Sequence, residues 1–300
     1  PNIVDDYYLN LLDWSSEDRI AVANGVSVLL WNKSKTQYEV LMSYLNDNEY
    51  LTPNYITSLI FSENGSKIAI GNLYGYVELY DINKKKCITC YKGHSMRVGV
   101  VAFNGNILSS GSKDCSIISR DIRCPNSNES IIRKFNEHTR EVCGLKWSFD
   151  GSKLASGGND NLLMLWNLSS SKPLMIKNDH SAAVKAIAWS PKNKNILASG
   201  GGTEDRKIIF WNVNTFEKIS ENETGSQVCN MIFSKNSDEF ISTHGYSLNQ
   251  INIWKLPNME KIKTLIGHYS RVLYLGMSPD GENIVTGAGD KTLKLWNVFP

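Results

Sequence analysis

A short outline recurs along this chain at a nearly constant interval, and it constrains the fold more than any single residue does. Its clearest copy runs from Leu154 to Asn167: a short strand, a turn carrying Asp160, and a second strand ending on Trp166. The stretch from Val285 through Asp290 to Trp296 has the same form, as does Ser109 through Asp114 to Arg120, and in each the strand-end residue lies six positions after the Asp. Strand-end aromatics or their replacements fall at Trp31, Tyr80, Arg120, Trp166, Trp211, Trp254 and Trp296, at intervals of 49, 40, 46, 45, 43 and 42 residues. A repeat this regular has to be explained before any one residue is given a function.

Each unit opens on an apolar strand: Leu9 to Trp14, Ile56 to Phe61, Val98 to Phe103, Val142 to Trp147, Val184 to Trp189, Val228 to Phe233 and Val272 to Met277. Turns such as Asp150-Gly151 and Asp280-Gly281 follow, then two short strands and a more variable fourth, with no helical periodicity. Seven such units at roughly 40–45 residues predict an all-β, seven-bladed WD-repeat β-propeller. A lone four-stranded sheet cannot bury both faces, so the blades must stack around an axis, and a ring closes without long exposed edges. The expectation is one domain over 1–300, with blades around 9–50, 51–93, 94–137, 138–179, 180–222, 223–266 and 267–300. Only four residues follow Trp296, too few for an outer strand, so residues 1–8 are expected to supply it and close the last blade.

Composition removes several classes. With 32 basic and 30 acidic residues the net charge is +2, without the concentrated positive footprint of a nucleic-acid binder. No apolar run nears the roughly 18 residues of a membrane span, and the N-terminus lacks the basic and apolar regions of a signal peptide. The chain starts without Met and stops just after a strand, as a piece of a longer protein would. Six cysteines in a chain of this size fit reduced thiols; Cys87-Ile-Thr-Cys90 has redox or zinc spacing but no second ligand pair. No metal or cofactor is expected.

His94, His138, His180 and His268 each open a repeat, and His138 with Ser156 and Asp160, or His268 with Thr286 and Asp290, has the residue types of a hydrolase. The same set recurs in several blades together with a strand-end Trp (Trp166, Trp296), and an active site is seldom repeated around a ring. A structural network that satisfies buried polar groups explains the recurrence better. Gly200-Gly201-Gly202 lacks the Gly-Lys-Ser/Thr of a phosphate loop and reads as a tight turn. A non-catalytic protein is expected.

Binding is the stronger prospect. The residue before the inner strand in the later blades is Arg97, Glu141, Ala183, Gln227 and Arg271, and by symmetry these ring the mouth of a central channel. A solvated rim and a short-peptide site are both compatible with that set.

Several longer strings carry a resemblance: Asp6-Tyr-Tyr-Leu-Asn-Leu-Leu-Asp13-Trp14, Glu141-Val-Cys-Gly-Leu-Lys-Trp147, Gly157-Gly-Asn-Asp-Asn161, Gly200-Gly-Gly-Thr203-Glu-Asp-Arg206, Gly225-Ser-Gln227-Val-Cys-Asn230 and Ser270-Arg271-Val-Leu-Tyr274. From Asp6 to Phe299 the chain resembles the propeller of the Fizzy and Fizzy-related coactivators of the anaphase-promoting complex. Ser242-Thr-His244-Gly-Tyr246 and Val285-Thr-Gly-Ala-Gly-Asp290 lean toward the Fizzy-related branch, and Arg120-Asp-Ile-Arg123 is similar to that family's third blade.

The resemblance implies a substrate-recognition coactivator of a ubiquitin ligase that binds KEN-box and destruction-box motifs of cell-cycle proteins, or pseudosubstrate inhibitors carrying them, in the nucleus and cytoplasm. The alternative is a propeller scaffold for another partner. KEN binding would fall to Asp13, Asn159, Asn161, Thr203, Gln227 and Arg271, with Asp13 suiting the motif's Lys and Arg271 its Glu. The destruction box would lie in a side groove between the first and last blades, its Arg met by Asp6 and by a Glu that this chain replaces with Lys291. The family's ligase-binding elements, a motif ahead of the propeller and an Ile-Arg tail, lie outside these 300 residues.

Overall fold

A computed structural model describes residues 3–32, 37–45 and 52–299. They form 27 strands and no helix, in seven antiparallel sheets whose strands follow chain order. Inner strands contact each other successively around the ring, and that of the last blade, Val272–Met277, meets that of the first, Leu12–Trp14. The fold is a seven-bladed all-β propeller.

Burial grades outward from the axis. All six residues of the inner strand Val184–Trp189 are buried between neighbouring blades and the channel. The outer strand of the same blade, Glu217–Glu223, is mostly exposed and mostly polar. This gradient is why the first strand of each repeat reads as a continuous apolar run and the fourth as variable. The first hairpin of blades two, four and seven turns at Gly65, Gly151 and Gly281, whose φ of +67, +67 and +78° lies where a side chain would be strained. Asp150 braces its turn by accepting from Ser148 Oγ at 2.7 Å and Ser152 N at 3.0 Å.

The recurring His, Ser or Thr, Asp and Trp join strands within a blade. His138 bridges Asp160 (2.9 Å) and Ser156 (2.8 Å), and the Trp166 indole donates to Ser156 at 2.7 Å. His268, Asp290, Thr286 and Trp296 repeat the arrangement at 3.0, 2.8 and 2.8 Å. The blade between Val184 and Glu223 has it again in His180, Asp205, Ser199 and Trp211. Burial alone would raise the Asp160 carboxyl, but His138 and the amides of Thr139 and Leu162 outweigh it and hold it below its ordinary value. The same opposition brings Asp290 down to about 2. Four blades depart from the pattern: the first and second have no His to form it, and the third and sixth vary it. In the third, the buried Arg120 stands where Trp would be, donates to the carbonyls of Lys92 and Ser127, and stacks over Tyr91. In the sixth, His244 reaches Ser242 from two residues along the same strand, at 2.7 Å, and Trp254 donates to that hydroxyl.

The ends of the chain differ from the expectation. Among the described residues the last blade has three strands, and residues 3–8 supply no fourth. They cross the mouth of the channel instead, because their best partners are there. Tyr274 Oη donates to the carbonyls of Val4 (2.8 Å) and Asp6 (3.3 Å), and Tyr7 Oη to those of Ala183 and Val228 (3.3 and 3.0 Å). Asn10 then pairs in parallel with Ser58 of the second blade, so the first blade's inner ladder begins at Leu12 rather than Leu9. Among the described residues, closure comes from this crossing and its apolar packing, not from a shared sheet.

Burial pulls the His244 imidazole down to about 4, against the carbonyls of Ser226 and Gln227, which favour the charged form. The unfolded state therefore takes up the proton first: the contribution to stability is complete above about pH 6.5 and is lost as pH falls toward 4. Urea unfolding at several pH values should show the native chain losing about 1.4 kcal/mol more per pH unit than His244→Gln across that window. Parallel profiles would contradict this assignment.

Candidate functional site

Two surfaces stand out, the channel mouth and the seam between the last and first blades. At the mouth each rim residue immediately precedes an inner strand, so symmetry brings residues far apart in sequence onto one ring. Arg97 is held there by two carboxylates: Nε and Nη2 donate to Glu141 at 2.7 and 2.9 Å, and Nη1 to Asp6 at 2.7 Å. Its guanidinium also lies over the Tyr8 ring, 6.0 Å from the centroid. Arg97 and Glu141 are thus engaged with each other and with the N-terminal segment. Gln227 and Arg271 stand side by side further round; a Cβ built on Gly245 would come within 2.7 Å of Gln227 Oε1 and 3.3 Å of Arg271 Cγ. Arg271 lies over the Tyr246 ring at 5.7 Å and pairs with Asp5 at 2.9 Å.

Asn159 and Asn161 flank Asp160 on the turn of the fourth blade. Asn159 N donates to Glu141 O at 2.8 Å and its side-chain oxygen accepts from Tyr8 Oη at 2.9 Å. Asn161 takes a φ of +66° and donates to Ser181 O of the next blade at 3.1 Å. Thr203 is exposed on the corresponding turn of the fifth blade. Five of the six residues that the resemblance implies for KEN binding therefore lie at the same end of the ring.

Asp13 does not join them. It is the middle residue of the strand Leu12–Trp14, pairs across to Ala21, and accepts from Phe61 N, the last residue of its strand, at 2.8 Å. Asn10, three residues earlier, sits level with Thr57 and Ser58 near the start of that strand. Asp13 is thus ~10 Å deeper along the channel than Asn10, below the crossing segment, where burial raises its carboxyl against the Phe61 amide. The channel just under the segment holds the buried Lys185, which donates to Leu273 O at 3.2 Å between the rings of Tyr7 and Tyr274. Burial pulls this ammonium down to about 8.

The seam is apolar. At the junction of the fourth and fifth blades, Leu165 of the third strand is fully buried, and Met175 of the fourth strand packs in the same cluster. Leu295 has the place of Leu165 in the last blade, but with no fourth strand beside it among the described residues it is 49% exposed. The result is a cleft of about 440 Å³ lined by Ile20, Val22, Leu29, Trp31 and Tyr38 on one wall and Val285, Leu293 and Leu295 on the other. Asp6 is turned away from this seam toward Arg97, and Lys291, exposed on the last blade's turn at a φ of +63°, makes no ion pair among the described residues. The carboxylate nearer that turn is Asp5, against Gly289.

No group of three His, Cys, Asp or Glu among the described residues is arranged to hold a metal ion. Cys87 and Cys90 are exposed free thiols, and burial followed by the nearby Glu78 raises Cys90 to about 11, which keeps it protonated. Asp5, Tyr8, Tyr246, Lys185 and Tyr274 were not singled out by sequence reasoning. Tyr274, three residues after the rim position of its blade, Tyr8 and Tyr246 lie inside family strings and so carried a signal, whereas Asp5 carried none.

Seven blades, a channel mouth crossed by the N-terminal segment and an apolar seam define a WD40 propeller with two candidate binding surfaces. The chain belongs to the CDC20/Fizzy WD40 domain family, which it matches over residues 1–296. It is 49% identical over 300 residues to Protein FIZZY-RELATED 2 of Arabidopsis thaliana and 44% identical over 299 residues to APC/C activator protein CDH1 of Saccharomyces cerevisiae. All of this chain is covered in both cases, but only 60% and 51% of those proteins' lengths. Among solved structures, a chain of the mitotic checkpoint complex superposes with a TM-score of 0.94 at 40% identity, covering all of this chain and 92% of that one.

Proposed function

We propose that this propeller is the substrate receptor of an anaphase-promoting complex coactivator of the Fizzy-related kind, a non-catalytic adaptor acting in the nucleus and cytoplasm. The observation that carries the reading is the rim pair Gln227 and Arg271, a neutral amide beside a guanidinium at the channel mouth, with Asn159, Asn161 and Thr203 on neighbouring blades. Such a set suits a short peptide with an amide and a carboxylate, as in Lys-Glu-Asn. The motif's Glu goes to Arg271, while Asp13, which the resemblance gives to its Lys, lies beneath the crossing segment. Contact with the ligase falls to elements beyond these residues.

The seam cleft is assigned to the destruction box. Its apolar walls suit a buried leucine, whose transfer from water is worth about 1.5–3 kcal/mol. Lys291 near its upper end disfavours the motif's Arg by roughly 1 kcal/mol, kept small by its exposure.

Arg271→Glu should abolish binding of a Lys-Glu-Asn peptide with little change in melting temperature, measured by fluorescence anisotropy and differential scanning calorimetry. Unchanged affinity would remove the rim site. Lys291→Glu should tighten a destruction-box peptide about three- to five-fold, and no gain would refute the repulsion. Failure of both peptides against alanine-substituted controls would leave a propeller scaffold for a different partner.

A further inference from the structure

Arg271 is not vacant. Its Nε donates to Asp5 Oδ1 at 3.0 Å, its Nη2 lies 2.9 Å from the same oxygen, and Nη2 also donates to the Asp5 backbone carbonyl at 3.2 Å. One edge of the guanidinium is therefore closed by a carboxylate from the chain's own N-terminal segment, while its face lies over the Tyr246 ring. The contact is built in from both sides. Tyr274 Oη anchors the segment by the carbonyls of Val4 and Asp6, one residue either side of Asp5. Across from it, Gly289 makes the space: a Cβ there would stand 2.6 Å from Asp5 Cγ. The neighbouring Asp6 is spoken for by Arg97, so Asp5 alone serves Arg271.

We propose that Asp5 is an internal competitor for Arg271, a carboxylate that an acidic residue of the incoming peptide must displace, and that it sets how strongly the rim distinguishes Glu from Gln. The inference rests on the reading of Arg271 as the acceptor of the motif's Glu. A ligand carboxylate exchanges one guanidinium pair for another, so its gain is a difference between two similar interactions. A neutral Gln leaves the internal pair in place and loses little by comparison. With Asp5 present, the Glu-over-Gln preference is compressed; without it, the full charge of Arg271 is available and the preference widens. Asp5 and Arg271 side chains are 35% and 19% exposed, so solvent keeps the competing pair in the range of partly exposed salt bridges.

The test measures Lys-Glu-Asn and Lys-Gln-Asn peptides against the native 300-residue chain, Asp5→Asn, Gly289→Ala and Arg271→Glu, with thermal melting to establish that each variant folds. Asp5→Asn should tighten the Glu peptide about two- to five-fold and leave the Gln peptide nearly unchanged. Gly289→Ala, which expels Asp5 from its place without altering charge, should move the Glu peptide in the same direction; if it does not fold, Asp5→Asn carries the test. An Asp5→Asn chain that binds the Glu peptide no better than the native one, while Arg271→Glu abolishes binding, overturns the competition and makes Asp5 a positioning residue. Absence of binding to native and Asp5→Asn chains alike, or binding indifferent to Arg271→Glu, overturns the rim site itself.

Discussion

The structure depends on how the last blade is joined to the first. Six blades are complete four-stranded sheets that pack face to face, but the seventh has three strands among the described residues, and no strand is shared across the seam. The join is made by one apolar cluster that takes Ile3, Tyr7, Leu9 and Leu11 from the beginning of the chain, Leu273, Tyr274 and Val285 from the last blade, and Ala183 and Cys229 from across the channel. Burial of side chains of this size is worth about 1.5–3 kcal/mol each, and the hydrogen bonds of Tyr7 and Tyr274 to backbone carbonyls orient the segment as it crosses. Among the described residues the ring is joined through this crossing segment.

Both candidate surfaces follow from that solution. Among the described residues no strand lies outside Leu293–Asn297, so Leu295 is exposed and a cleft opens against Trp31 and Tyr38. Laying residues 3–8 over the mouth places Asp5, Asp6 and Tyr8 among the rim side chains. The same few residues therefore fasten the fold and compete or cooperate with whatever the rim binds. The four His networks play no such part: each is turned inward, with its hydroxyl shared between the imidazole and, in three of them, a Trp indole.

Much of this was legible in the sequence because propeller symmetry converts spacing into position. Asp160 and Trp166, six apart, had to lie on one turn and the strand that leaves it, and the residue before each inner strand had to face the mouth. What symmetry does not fix was misread. Counting residues after Trp296 does not tell where an outer strand of the last blade comes from, and among the described residues the side chains of residues 3–8 find their partners across the channel rather than along the last sheet. Asp13 fits a motif by its chemistry, yet its level along the axis depends on a parallel offset, Asn10 against Ser58, that no local pattern encodes. Asp5 was passed over beside Asp6 because the two differ only in which blade they turn toward, Arg271 of the seventh or Arg97 of the third.

We propose that one propeller carries two separate peptide sites, a polar rim and an apolar seam. The most direct measurement is a competition experiment in which a labelled Lys-Glu-Asn peptide and a differently labelled destruction-box peptide are bound to the 300-residue chain together. The expected result is simultaneous binding, each label displaced only by its own unlabelled peptide, with Leu295→Asp removing the second label and sparing the first. Mutual displacement, or loss of both labels in Leu295→Asp while the protein remains folded, would contradict it.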